Sequence, residues 1–275
     1  MTIGCRLRNR LVVAAAAVGL ALVPYGGGAR ADIANWPVDD SDWNAITLGG
    51  GFYSDPVGDI NPDWLDIVGD TSTFGAGYWA FSNAGTPVDE TDDEIMWRIR
   101  LEEWKTNPNV VWQIFMDVDG DDLIDYSVQV DESGGNVVEL VAATTGGTTW
   151  SDVSLDTTAV WSDTIAGFSR VTTPTGDGSA FGGGGDDAFL DFGMPWLDFT
   201  SLTGVTSATP VRFGLSTSAS HVAINKDLPL SASASDPVAA GFGDAILGIP
   251  EPSTATLLAG GLVALALIAR RSAGC

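Results

Sequence analysis

Cysteine is nearly absent from this 275-residue chain: Cys5 and Cys275 are the only two, one close to each end. Both sit in segments expected to be removed, so the mature chain is expected to hold no disulfide, no thiolate nucleophile and no cysteine-based metal site. Histidine is scarcer, with His221 alone. That excludes zinc held by three histidines. A Ser-His-Asp relay would need a serine on a Gly-x-Ser-x-Gly turn, and no serine here has those neighbours. Basic residues are few, 12 against 36 acidic ones. All the acids fall between Asp32 and Glu251, where only Arg98, Arg100, Lys105, Arg170, Arg212 and Lys226 oppose them, leaving about −30. Such a field repels nucleic acid and anionic lipid and draws cations, so nucleic acid is excluded as a partner.

Long amphipathic helices are also missing from the middle of the chain. What is present is 34 glycines, 10 tryptophans and 11 phenylalanines, too much apolar area for a disordered chain. In Glu94 to Leu101, apolar Ile95, Trp97, Ile99 and Leu101 alternate with Met96, Arg98 and Arg100. That is the period of a half-buried strand with a cationic outer face. Val110 to Met116, Ile124 to Val130 and Asn136 to Ala143 follow with short turns, and read with it as an antiparallel meander. Ala188 to Gly193 and Pro210 to Thr217 are further strands, with a short helix from Pro195 to Leu202 between them. Thr144 to Asp187 reads as long loops around short strands. The expectation is an all-β chain, an antiparallel β-sandwich of jelly-roll type over 63–230. A leader at 32–62 precedes it and a small-residue linker at 231–249 follows it.

The sharpest motif is "DVDGDDLID". Asp117, Asp119, Asp121 and Asp125 fall at positions 1, 3, 5 and 9 of a calcium-loop pattern. A hard cation wants six to eight oxygens, and a tight turn with alternate carboxylates can wrap them round one ion. Asp122 stands where the pattern has glycine, and Val128 where it has an acid. The stretch is therefore either a Ca2+ site completed from elsewhere or a plain turn between two strands. The acid run from Asp89 to Glu94 reads as a solvated loop, and His221 as a loop or strand-edge residue. Trp97 and Trp112 lie in strands and belong in the core. Trp150 and Trp161, in the Thr/Ser/Asp-rich loops, are the candidates for stacking on a glycan ring.

Both ends carry targeting patterns. Arg6, Arg8 and Arg10 precede an apolar stretch from Leu11 to Val23 and then Ala29-Arg30-Ala31. This is a signal peptide over 1–31, cut by signal peptidase after Ala31. At the other end 16 uncharged residues, Thr254 to Ala269, reach about 24 Å as a helix, short of a hydrocarbon core of about 30 Å. Pro250-Glu251-Pro252 stands before this run and Arg270-Arg271 behind it. The segment 250–275 resembles a PEP-CTERM sorting signal. The resemblance implies a transient hold in the inner membrane, cleavage by an exosortase, and delivery to the envelope, surface or matrix of a Gram-negative-type bacterium. A plain tail anchor is the alternative. The stretches "DWLDIVGD", "IFMDVDGDDLIDYSVQV", "FLDFGMPWLDF" and "RFGLSTSASHVAINKD" are similar to an uncharacterised group of secreted bacterial domains of DOMON-like or carbohydrate-binding-module-like fold. The reading is an exported, non-enzymatic protein with a structural or adhesive role in exopolysaccharide or biofilm. A carbohydrate-binding module and a carboxylate-based glycan hydrolase are the alternatives.

Overall fold

The computed structural model describes residues 32–249 apart from 86–89, 107, 145–154, 174–180, 182–186, 225, 230–240 and 248. The expected signal peptide with Ala29 and Ala31 lies outside the described residues. So do Trp150 and the tail with Pro250, Glu251, Pro252, Arg270 and Arg271.

The strands in chain order are β1 (Asn44–Ala45), β2 (Thr47–Leu48), β3 (Gly51–Phe52), β4 (Gly77–Ser82), β5 (Glu94–Leu101) and β6 (Val111–Asp117). They continue with β7 (Tyr126–Asp131), β8 (Val137–Ala142), β9 (Trp161–Thr164), β10 (Ser169–Thr172), β11 (Ala188–Pro195) and β12 (Arg212–Ser218). Two helices interrupt them, α1 (Ile165–Phe168) and α2 (Trp196–Thr203). One five-stranded sheet runs β1-β4-β5-β11-β10, a second runs β12-β6-β7-β8-β9, and β2-β3 is a separate hairpin. Among the described residues every strand pairing is antiparallel. The chain is thus all-β in its described part, as its alternating pattern predicts.

Alternation along each strand decides which side chains meet. Ile95, Trp97, Ile99 and Leu101 of β5 share one buried cluster with Leu190, Phe192 and Met194 of β11. Trp112, Ile114 and Met116 of β6 and Phe213 and Leu215 of β12 join them from the second sheet. The Trp97 ring lies 6.2 Å from that of Phe213 across the two sheets, edge to face. The sheets approach closely enough that a Cβ on Gly77 would fall 2.5 Å from a Leu215 methyl, so any larger residue there would force Leu215 to move.

Three expectations are corrected. The predicted four-strand meander starts one strand late: β5 pairs with β4 and β11, and β6 opens the other sheet. Residues 102–110 carry the chain across between sheets, and a turn that crosses looks locally like one that returns. The jelly-roll detail also fails, because β6 to β9 stay in one sheet where a jelly roll sends most successive strands to opposite sheets. Nor is the outer face of β5 open. Arg98 and Arg100 are buried, the first held at Nε and Nη2 by Asp191 (2.6 and 3.0 Å) and the second by Asp187 (3.0 Å). The Arg98 guanidinium sits between the rings of Trp43 and Phe189, 4.3 and 4.2 Å from their centroids, and Arg100 lies 4.4 Å from Phe189. Arginine presents as polar in a sequence pattern, yet its flat guanidinium stacks on rings once its charge is paired.

Candidate metal centre

The predicted loop joins β6 to β7 as a tight turn. Gly120 takes φ +83° and Asp122 takes φ +67°, so the aspartate occupies the left-handed position where calcium loops carry glycine. Asp117, Asp119 and Asp125 bring carboxylate oxygens within 4.8 Å of one another; Asp121 stays outside that group. Their charges already have partners. Asp117 accepts the N–H groups of Asp119, Gly120 and Asp122 at 3.2, 2.6 and 3.2 Å, and Asp125 accepts that of Val118 at 2.8 Å. Arg212 pairs with Asp117 and, at 2.6 Å, with Asp122. Burial raises the Asp125 pKa, helped by the charges of Asp119, Asp117 and Asp121. A shallow groove of about 420 Å3 opens beside the turn, floored by Ala142, Ala143 and Tyr126.

A second group of acids is the more demanding one, and it is not visible in the sequence. Asp55 stands just past β3 and bridges Gly69, with Asp55 N donating to Gly69 O at 3.1 Å and the return bond at 3.2 Å. Asp66 closes a 3-10 turn at Asp63–Leu65, and its backbone carbonyl accepts from Glu102 N at 3.0 Å. Its carboxylate draws Gly58 N to 2.6 Å, which folds the turn carrying Asp59 back over it. Asp227 comes from the far end of the domain. It is fixed against Thr217 of β12, and its carboxylate accepts Ile67 N at 2.5 Å. Asp55, Asp59, Asp66 and Asp227 thereby place carboxylate oxygens within 4.8 Å of one another.

The protein compensates this cage only in part. Asp55 is 3% exposed, yet no backbone N–H, hydroxyl or basic group donates to its carboxylate oxygens, and the group it meets at hydrogen-bond range is the Asp227 carboxyl. Oδ1 of Asp66 and Oδ1 of Asp59 are likewise buried and unpartnered. Among the described residues no Lys, Arg or His pairs with any of the four. Burial, followed by the charges of Asp227 and Asp59, pushes the Asp55 carboxyl up to about 11. Burial also lifts Asp66 to about 9 and Asp227 to about 7. Buried carboxylates are ordinarily paired, protonated or bound to a cation. Two oxygens on one calcium ion, at about 2.3–2.6 Å each, can stand up to roughly 5 Å apart, so the spacing suits a single ion. The cage could hold a metal ion.

The other sequence candidates fall as follows. Trp161 is not a stacking platform. It is 3% exposed, packs edge to face on Phe168, and donates its indole N–H to Asp198 at 3.1 Å, because α2 covers that end of the sheet. Trp97 and Trp112 are in the core as expected. The acid run does not end in solvent: Glu94 is buried and its carboxylate caps Ala34 N and Asn35 N at 2.8 and 3.0 Å. His221 is a loop residue whose Nδ1 lies 3.9 Å from Asp131, near Glu139. Among the described residues no helix is long and apolar enough to cross a membrane. Comparison with known proteins finds no matching family model, no similar curated protein and no similar solved structure.

Proposed function

We propose that this chain is an exported, non-enzymatic protein built on a two-sheet β-sandwich that takes up a divalent cation, calcium by its donor set, in the Asp55–Asp59–Asp66–Asp227 cage. Its role is structural or adhesive, at the envelope or in an exopolysaccharide matrix. The observation that carries the cation reading is Asp55, a buried carboxylate that no backbone, hydroxyl or basic donor reaches and that faces three further carboxylates. All-oxygen, all-carboxylate donors suit a hard cation and offer no nitrogen or sulfur to a softer one. The destination rests on the two ends of the sequence, a signal-peptide pattern at 1–31 and a sorting-signal pattern at 250–275, with signal peptidase, an exosortase and, transiently, the inner membrane as processing partners.

Two measurements test the two halves of this proposal. In thermal melts, calcium at about a hundred times its Kd adds about 2.7 kcal/mol, a rise of roughly 5–10 °C over the EGTA sample. An unchanged melting temperature at millimolar calcium rejects the cation. Mass spectrometry of the chain recovered outside the inner membrane reports the processing. A mass that still includes Leu257 to Ala269 rejects the sorting signal in favour of a tail anchor.

A further inference from the structure

The cage and the last described segment of the chain hang on the same two supports. β12 ends its sheet, bonded to β6 on one side only. Its other side is covered by later chain in two places. At Thr217 the cover is Lys226 and Asp227, through Thr217 N to Asp227 O at 3.0 Å and Lys226 N to Thr217 O at 3.2 Å. At Val211 and Phe213 it is the segment 241–249. Gly243 N donates to Phe213 O at 2.7 Å, and Val211 and Ile246 exchange bonds of 3.1 and 2.8 Å. The cage residue Asp227 and this segment therefore lie along one strand edge.

The second support is the β2–β3 hairpin. Asp244 N donates to Thr47 O at 2.6 Å, and its carboxylate accepts Gly49 N and Gly50 N at 2.9 and 3.2 Å. Those two bonds hold the Asp244 pKa below its usual value. Tyr53, two residues before Asp55 in sequence and fully buried, donates its hydroxyl to Gly241 O. A Cβ on Gly243 would meet Thr47 O at 2.7 Å, so the segment is seated without slack. Phe242 and Ile249 are buried by this seating. Each support has one end in the cage: β12 through Thr217 and Asp227, the hairpin through Tyr53 and Asp55.

Resting on the cation reading above, we propose that divalent-cation loading of the Asp55–Asp59–Asp66–Asp227 cage fixes the segment 241–249 onto the domain, and that cation withdrawal releases it. With the ion gone, Asp55 and Asp227 lose the centre they share, Asp227 loosens from Thr217, and the grip on both supports weakens together.

The test is hydrogen exchange on the full chain in calcium and in EGTA, beside calorimetric titration with calcium. The expected result is calcium binding together with amides of 241–249 that exchange about tenfold faster in EGTA, while β7 and β8 keep their protection. Tyr53→Phe should bind calcium as the parent does, since Tyr53 is no ligand, yet exchange faster at 241–249 in calcium. Binding without a change at 241–249 overturns the linkage and leaves the cation reading standing. Equal loss of protection at β7 and β8 overturns it too, as the ion would then act on the whole domain. No heat of binding removes the cation reading and the linkage with it.

Discussion

At the scale of single residues the acids divide by what they touch. Asp117 satisfies backbone N–H groups and Arg212, so its turn is complete without an ion. The Asp55 carboxylate receives no donor from backbone, hydroxyl or basic groups. Asp55→Ala should therefore abolish the calcium-dependent rise in melting temperature, and Asp119→Asn, in the exposed turn, should leave it within about 1 °C of the parent. The two variants measured side by side separate the two groups. The raised carboxyl values fix the sign of the pH dependence. A carboxyl whose folded pKa exceeds its unfolded value of 3.8 binds its proton more tightly in the folded state. Ion-free stability is therefore lost as pH rises from about 4 towards the folded values of about 7, 9 and 11. Calcium removes that penalty, so the gap between calcium and EGTA melts should widen from pH 5 to pH 8. A gap that narrows over this range contradicts the cage as the seat of the effect. Of the two groups only the turn was legible in the sequence, because its aspartates lie within nine residues of one another. Asp227 meets Ile67 across 160 positions, and no local spacing reports such a meeting.

At the scale of elements the expected strands meet β5, β6, β7 and β11 to within two residues; alternation located β5 and β7, since burial on one face is what writes that pattern. On β5 the same pattern misread the outer face as open. In β5 that face carries Arg98 and Arg100 under a layer of Trp43, Phe189 and Phe74, with Asp191 shared between Arg98 and Arg170. The cover comes from Trp43 and Phe74 upstream and from Asp187 to Asp191 some 87–93 positions downstream, which a strand's own sequence cannot announce. Arg98→Ala strands one buried carboxylate with a single remaining partner, Arg170, and should cost about 3 kcal/mol, or roughly 6–12 °C in melting temperature. Arg98→Lys should recover little of it, because an ammonium neither forks onto Asp191 nor stacks between two rings. A melt of the lysine variant equal to the parent would show that the stack contributes only charge.

At the scale of the whole molecule the domain stretch carries about −30, and the same excess of acid that draws an ion also strains the fold. General screening and a defined site predict different salt responses. In EGTA, sodium chloride at about 0.15 M shortens the reach of surface repulsion to about 8 Å and should raise the melting temperature slightly. Calcium at about 1 mM adds almost nothing to ionic strength, so a larger rise from it marks a site. Equal effects at equal ionic strength would reduce calcium to a counterion.

The clothing of β12 by its own downstream chain has a last consequence. A terminal strand with bare N–H and C=O groups is a template on which another molecule can add a strand. Here Lys226, Asp227, Gly243 and Ile246 occupy those groups from within the same molecule. Self-assembly through that border would first require the chain to give up its own cover, which makes fibre growth there conditional where an uncovered strand would leave it spontaneous.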